Sequence, residues 1–90
     1  MKIDFDPKKN PANQANHGVS LAIAASLDWD AALVWIDDRF EYDELRMIAL
    51  APETNTLYYV ALVDCAAVRR IISVRRATRK EVAYYVENFQ

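Results

Sequence analysis

Three apolar runs joined by very short connections fill the second half of this chain, at residues 45–51, 57–63 and 69–74. The connections are Pro52-Glu53-Thr54-Asn55 and residues 64–67. A parallel crossover needs about a dozen residues or more, so runs joined this tightly favour an antiparallel meander. Leu33-Val34-Trp35-Ile36 supplies a fourth strand, separated from the meander by an acidic loop through Asp43. Residues 2–5 alternate polar and apolar and read as a possible short N-terminal strand.

Helix signals flank the strands. Asp6-Pro7 resembles a helix start, with the acid capping and proline first. Pro11 restricts Asn10, so the helix begins either there or at Asn10. It ends at His17-Gly18, where glycine takes the left-handed conformation. Ser20 is a plausible N-cap for a second helix, in which Val19, Ile23 and Leu27 recur at helical spacing. Thr78-Arg79-Lys80-Glu81 is a capping box. The helix after it presents Val82, Tyr85, Val86 and Phe89 on the side expected to meet the sheet. The expectation is an α+β fold with two N-terminal helices, an antiparallel sheet of about four strands and a C-terminal helix packed on it.

Composition narrows the class. Ninety residues, 53% of them hydrophobic, are expected to form one domain spanning residues 1–90. With one cysteine, Cys65, and one histidine, His17, neither an internal disulfide nor a structural zinc site can be assembled. The N-terminus lacks the apolar core of a signal peptide, so a soluble cytoplasmic protein with no membrane contact is expected.

Charge is distributed unevenly. The formal net charge is -2, yet residues 69–81 carry Arg69, Arg70, Arg75, Arg76, Arg79 and Lys80 before the first carboxylate, Glu81. Guanidinium groups offer phosphate two parallel N–H donors, which suggests a polyanionic ligand. The alternative is an edge strand guarded by charge. Strict alternation puts Arg69, Ile71, Ser73 and Arg75 on one face and Arg70, Ile72, Val74 and Arg76 on the other, so strand geometry alone does not gather the arginines. Arg69 reads as solvated, and Tyr59 and Tyr85 as core. Glu44 and Arg46 lie two apart and pair with each other or with a neighbour. Cys65 has no base nearby in sequence and is a poor nucleophile. The acidic loop lacks the glycine and spacing of a calcium site.

Four stretches together resemble a known family. Asp6-Pro7-Lys8-Lys9-Asn10, His17-Gly18-Val19-Ser20, Glu44-Leu45-Arg46 and Arg70-Ile71-Ile72-Ser73-Val74-Arg75-Arg76-Ala77-Thr78 occur in order from about Phe5 to Tyr85. They are similar to the BrnT toxins of type II toxin–antitoxin systems. The resemblance implies a small endoribonuclease with a RelE-like fold, cleaving RNA by attack of the ribose 2′-hydroxyl without metal or cofactor. It also implies a BrnA-type antitoxin with a ribbon-helix-helix domain, through which alone the pair would touch operator DNA.

Such cleavage needs a proton acceptor and cations for the charge developing on phosphate. The resemblance makes His17, Arg46 and Arg75 the catalytic candidates, and Lys9, Arg70, Arg76, Arg79 and Lys80 the RNA-binding ones. For His17 the alternative is a plain helix-capping role. Arg79 and Lys80 oppose the dipole of their helix, a cost that RNA or an acidic antitoxin surface would offset. The chain departs from the family pattern at Asn16, where lysine is usual, at Asp43 in place of glycine, and at Asp64-Cys65-Ala66 in place of polar and basic residues. Two other readings stay open: a catalytically degenerate BrnT-like domain that only binds its antitoxin, and a non-enzymatic RNA-binding module.

Overall fold

The chain runs β1 (Lys2–Phe5), α1 (Asn10–His17), β2 (Leu33–Ile36), β3 (Met47–Glu53), β4 (Thr56–Cys65), β5 (Val68–Arg76) and α2 (Arg79–Asn88). Short 3-10 segments lie at Pro7–Lys9, Leu21–Ser26 and Trp29–Ala31. The computed structural model describes residues 1–39, 41 and 43–89. β2 to β5 form the expected antiparallel meander, and β1 pairs in parallel with β5, giving the order β1-β5-β4-β3-β2. The antiparallel sheet of about four strands is thus a five-stranded mixed sheet. Connection length could not reveal the parallel pair, because Lys2 meets Val68 from the far end of the chain.

The β3–β4 and β4–β5 hairpins are tight, with Glu53 opposite Thr56 and Cys65 opposite Val68. Each turn forces a residue with a Cβ into the left-handed region, Thr54 at φ 51° and Ala66 at φ 55°. Glycine would adopt this conformation at lower cost.

The first helix resolves the ambiguity of its two prolines by dividing. Asp6 caps the 3-10 turn, its carboxylate accepting from the Lys8 N–H at 3.0 Å, and the α-helix proper starts at Asn10. Gly18 closes it at φ 68°, its N–H donating to the Gln14 carbonyl. The second expected α-helix is instead a 3-10 helix, capped by Ser20 as anticipated. The reason lies in which side chains are buried. Leu21, Ala24 and Leu27 enter the core at a spacing of three, which matches the 3-10 turn better than the α-turn. Asn10 pins its start, its side-chain oxygen accepting from the Leu21 N–H at 2.8 Å.

This segment packs on one face of the sheet against Ala49, Ala51, Tyr58, Val60, Leu62, Ile71 and Val74. Tyr58, not Tyr59, is the core tyrosine of β4. α2 occupies the opposite face; of its expected inward side Tyr85 and Phe89 do turn in, stacked on each other, whereas Val82 and Val86 do not. Val82, Tyr84 and Val86 are 41%, 50% and 70% exposed, while Glu81, Tyr85 and Phe89 are half-buried. Glu81 reaches Arg75, Tyr84 meets Trp35 edge-on at 5.9 Å, and the Tyr85 hydroxyl donates to the Ala31 carbonyl at 2.6 Å. That sheet face offers an arginine and an aromatic ring, so the helix turns its complementary polar and aromatic side chains inward. The Thr78–Glu81 capping box is formed as expected.

Candidate nucleic-acid interface

A β-bulge decides which arginines share a face. Ala61 pairs with Ser73, but Leu62 pairs with Ile71, so Ile72 is an extra residue in β5. The bulge shifts the side-chain phase by one. Ile71 and Val74, three apart, both enter the core, which unbroken alternation forbids. Arg69 and Arg76 follow the core-side phase, whereas Arg70, Ser73 and Arg75 stand together on the α2 side. The strict alternation read from the sequence therefore fails for half of the strand.

Arg75 is held by two side chains and a carbonyl. Its Nη1 and Nη2 donate to Oε1 and Oε2 of Glu81, both at 2.8 Å, and Nη1 also donates to the Arg76 carbonyl. Its guanidinium lies 3.8 Å from the ring centroid of Tyr59, its direct cross-strand partner. The hydrogen bonds from Arg75 hold the Glu81 carboxyl below its ordinary range, against the opposing effect of burial. The same bonds raise the Arg75 pKa, against the opposing effects of burial and, after it, of the Arg39 charge. Arg39 was not among the site candidates read from the sequence. It is held by a fork to Asp37, a buried carboxylate, with contacts of 2.8 and 2.9 Å.

The other candidates fall into separate surroundings. Glu44 pairs with Arg70, not Arg46, in an exposed bridge that contributes little stability. Arg46 continues the β2–β3 ladder, its carbonyl accepting from the Asp37 N–H at 2.9 Å. It lines a cleft of about 390 Å³ with Asp37, Asp38, Asp43 and Glu44, surroundings that disfavour a phosphate. Arg69 is not solvated. It forks onto Asp64 at 2.7 and 2.8 Å and its guanidinium lies 4.8 Å from the Trp29 ring centroid, and this contact depresses the Asp64 pKa. The unusual Asp64 thus has a structural partner on the core-side phase. Arg76, Arg79 and Lys80 are exposed at the β5 exit.

His17 and Lys9 do come together. They line a cleft of about 340 Å³ with Lys8, Ala12, Asn13, Asn16, Ile72 and Ser73, and no carboxylate is among its residues. The His17 imidazole makes no hydrogen bond among the described residues. The helix end is closed by the Gly18 N–H, so the imidazole caps no carbonyl, although His17 stands in the last turn, where a positive charge suits the helix dipole. This cleft and the Arg46 cleft share no residue. Ser73, which lines the His17 cleft, has the same strand phase as Arg75, and Arg75 itself does not line it.

Sequence reasoning missed Asn13. This buried residue joins α1 to β5, its Nδ2 donating to the carbonyls of Val19 and Val74 at 2.7 and 2.9 Å. Its Oδ1 accepts from the Val74 N–H at 3.1 Å. The only signal was a poor helix former placed mid-helix, four residues before His17. Among the described residues no group of three or more His, Cys, Asp or Glu side chains converges to hold a metal ion, and no helix is long and apolar enough to cross a membrane.

A search of curated proteins finds no match to the chain. A family model described as the ribonuclease toxin BrnT of type II toxin–antitoxin systems matches residues 5–81. That span contains α1 with its His17-Gly18 end, the whole sheet from β2 to β5 and the Thr78–Glu81 cap. The chain belongs to the BrnT family of type II toxin–antitoxin ribonuclease toxins, a family that implies an antitoxin partner.

Proposed function

We propose that this chain, as a single BrnT-like domain over residues 1–90, is a cytoplasmic endoribonuclease that cleaves RNA without metal. The observation that carries the reading is the carboxylate-free cleft of Lys8, Lys9 and His17 at the edge of β5. His17 accepts the 2′-hydroxyl proton as the 2′-oxygen bonds to phosphorus. The bond from phosphorus to the 5′-oxygen then breaks, water protonates that oxygen, and a 2′,3′-cyclic phosphate remains. Lys9 and Arg75 stabilise the charge that builds on the phosphoryl oxygens. Arg75 retains its Nε–H and one Nη2–H for this while bonded to Glu81. Arg76, Arg79 and Lys80 extend the cationic track for the RNA backbone, with Arg70 beside it. Arg46, among carboxylates, is assigned to holding the acidic loop.

In this reading a BrnA-type antitoxin with a ribbon-helix-helix domain holds the enzyme inactive, and operator DNA is reached through that partner. Purified protein should release fragments ending in 2′,3′-cyclic phosphate in the presence of EDTA, and His17→Ala should abolish cleavage with an unchanged circular dichroism spectrum. RNA left intact by a stoichiometric excess of protein, together with no growth defect on expression without antitoxin, would sink the nuclease reading. A second reading has its own support, since Asn16 replaces the usual lysine and Arg70 and Arg75 already hold carboxylates. It makes the chain a degenerate toxin that only binds its antitoxin, and it predicts co-purification without toxicity.

A further inference from the structure

We infer that Asn13 is a positioning residue of the ribonuclease site, fixing His17 against the strand that carries Arg75. The inference rests on the ribonuclease reading above. β1 covers the edge of β5 only as far as the Phe5–Ile71 pair. Beyond it, the Val74 N–H and carbonyl would face outward with no strand to meet them. The Asn13 carboxamide supplies that missing strand, donating to the Val74 carbonyl and accepting from its N–H. Its second donor bond, to the Val19 carbonyl, ties down the chain just past Gly18.

One buried side chain therefore sets both the distance of α1 from β5 and the path by which α1 ends. Asn13 and His17, four apart, share one face of α1, and Lys9, at the end of the 3-10 turn before it, lines the same cleft. That face borders Ile72 and Ser73 across the cleft. A shift in the Asn13 contact would move the imidazole relative to Ser73 and Arg75 without removing any group that touches RNA. Misplacement of a catalytic group by about 1 Å can cost roughly 100-fold in rate.

The informative variant is Asn13→Gln. Its carboxamide can still meet Val74, but one added methylene pushes α1 outward. The expected result is a folded protein with the Val74 amide still protected from hydrogen exchange, and single-turnover cleavage of a short RNA slowed roughly 10- to 100-fold. Affinity for the matching 2′-O-methyl RNA, which cannot be cleaved, should fall far less than the rate, because Arg75, Arg76, Arg79 and Lys80 do not move with α1. Asn13→Ala should lose the Val74 protection as well. A folded Asn13→Gln protein that cleaves at the wild-type rate overturns the proposal. If the wild-type protein cleaves nothing, the ribonuclease reading fails separately, and placement is read by nuclear Overhauser contacts between the His17 ring and Ser73. Contacts kept unchanged in Asn13→Gln overturn the positioning role; their loss supports it.

Discussion

Replacing Glu81 with glutamine tests whether the ion pair to Arg75 holds α2 on the sheet. The wild-type contact is a two-pronged fork with both distances at 2.8 Å, between side chains that are 32% and 22% exposed. Glu81 also accepts from the Thr78 N–H at 2.8 Å as its half of the capping box. Glutamine keeps an oxygen for one of these donors but turns an amide N–H₂ toward another. A charge-assisted hydrogen bond contributes about 1.5–3 kcal/mol, and partial exposure lowers that toward the value of about 1 kcal/mol or less found for surface pairs. The expected loss is about 2 kcal/mol for the whole change. For a chain of this size that lowers the melting temperature by roughly 10 °C, at about 4–8 °C per kcal/mol.

The pH dependence has a defined sign. Glu81 is held below its ordinary value of 4.5, so the stability it contributes is present above that pH and is lost as pH falls through the lower folded value. The gap between wild type and Glu81→Gln should therefore be full at pH 7 and should close in strong acid. Asp64 follows the same sign through Arg69 and will keep part of the acid sensitivity in the variant. Thermal melts by circular dichroism, run as a double-mutant cycle with Arg75→Met, isolate the pair. A coupling of about 1–2 kcal/mol is expected for such a partly exposed fork. Additivity of the two changes within about 0.3 kcal/mol would refute the reasoning.

Three further perturbations follow from the backbone and the packing. Ala66→Gly relieves a left-handed residue in the β4–β5 turn and should stabilise the protein by about 0.5–1 kcal/mol in denaturant titrations, the reverse of a Cβ added at positive φ. Tyr85→Phe removes the hydroxyl bond to Ala31 and should cost about 0.5–1.5 kcal/mol in the same assay. Deleting Ile72 removes the bulge and leaves Ile71 and Val74 in their present phase, so the protein should fold with the same sheet register. Loss of the Leu62–Ile71 contact in its spectra would show that the phase assignment is wrong.

The elements that were legible in the sequence are those governed by neighbours along the chain. The meander followed from connections too short for any other pairing, and the caps at Asp6, Ser20 and Thr78 from side chains that reach a backbone N–H two or three residues on. The Gly18 stop and the family membership were legible for the same reason, since both rest on local strings of residues. The burial of Leu21, Ala24 and Leu27 was harder. Two overlapping periodicities pass through that stretch, and only the sheet against which it packs selects the spacing of three.

The candidate site divides along the same line. Its residue types, an imidazole at a helix end and a run of cations around β5, were determined by the sequence. Tertiary structure decided which of them stand together. Arg70 meets Glu44 across 26 residues, and Asn13 meets Val74 across 61, and no local rule connects such pairs. The β1 pairing is equally remote in sequence. The bulge at Ile72 is adjacent in sequence yet was also invisible. An extra residue is accommodated only because β4 must bury Val60 and Leu62 while β5 buries Ile71 and Val74. Local backbone chemistry specifies the strands and their ends, but the phase of a side chain on a sheet is set by the partner strand and the core it has to fill.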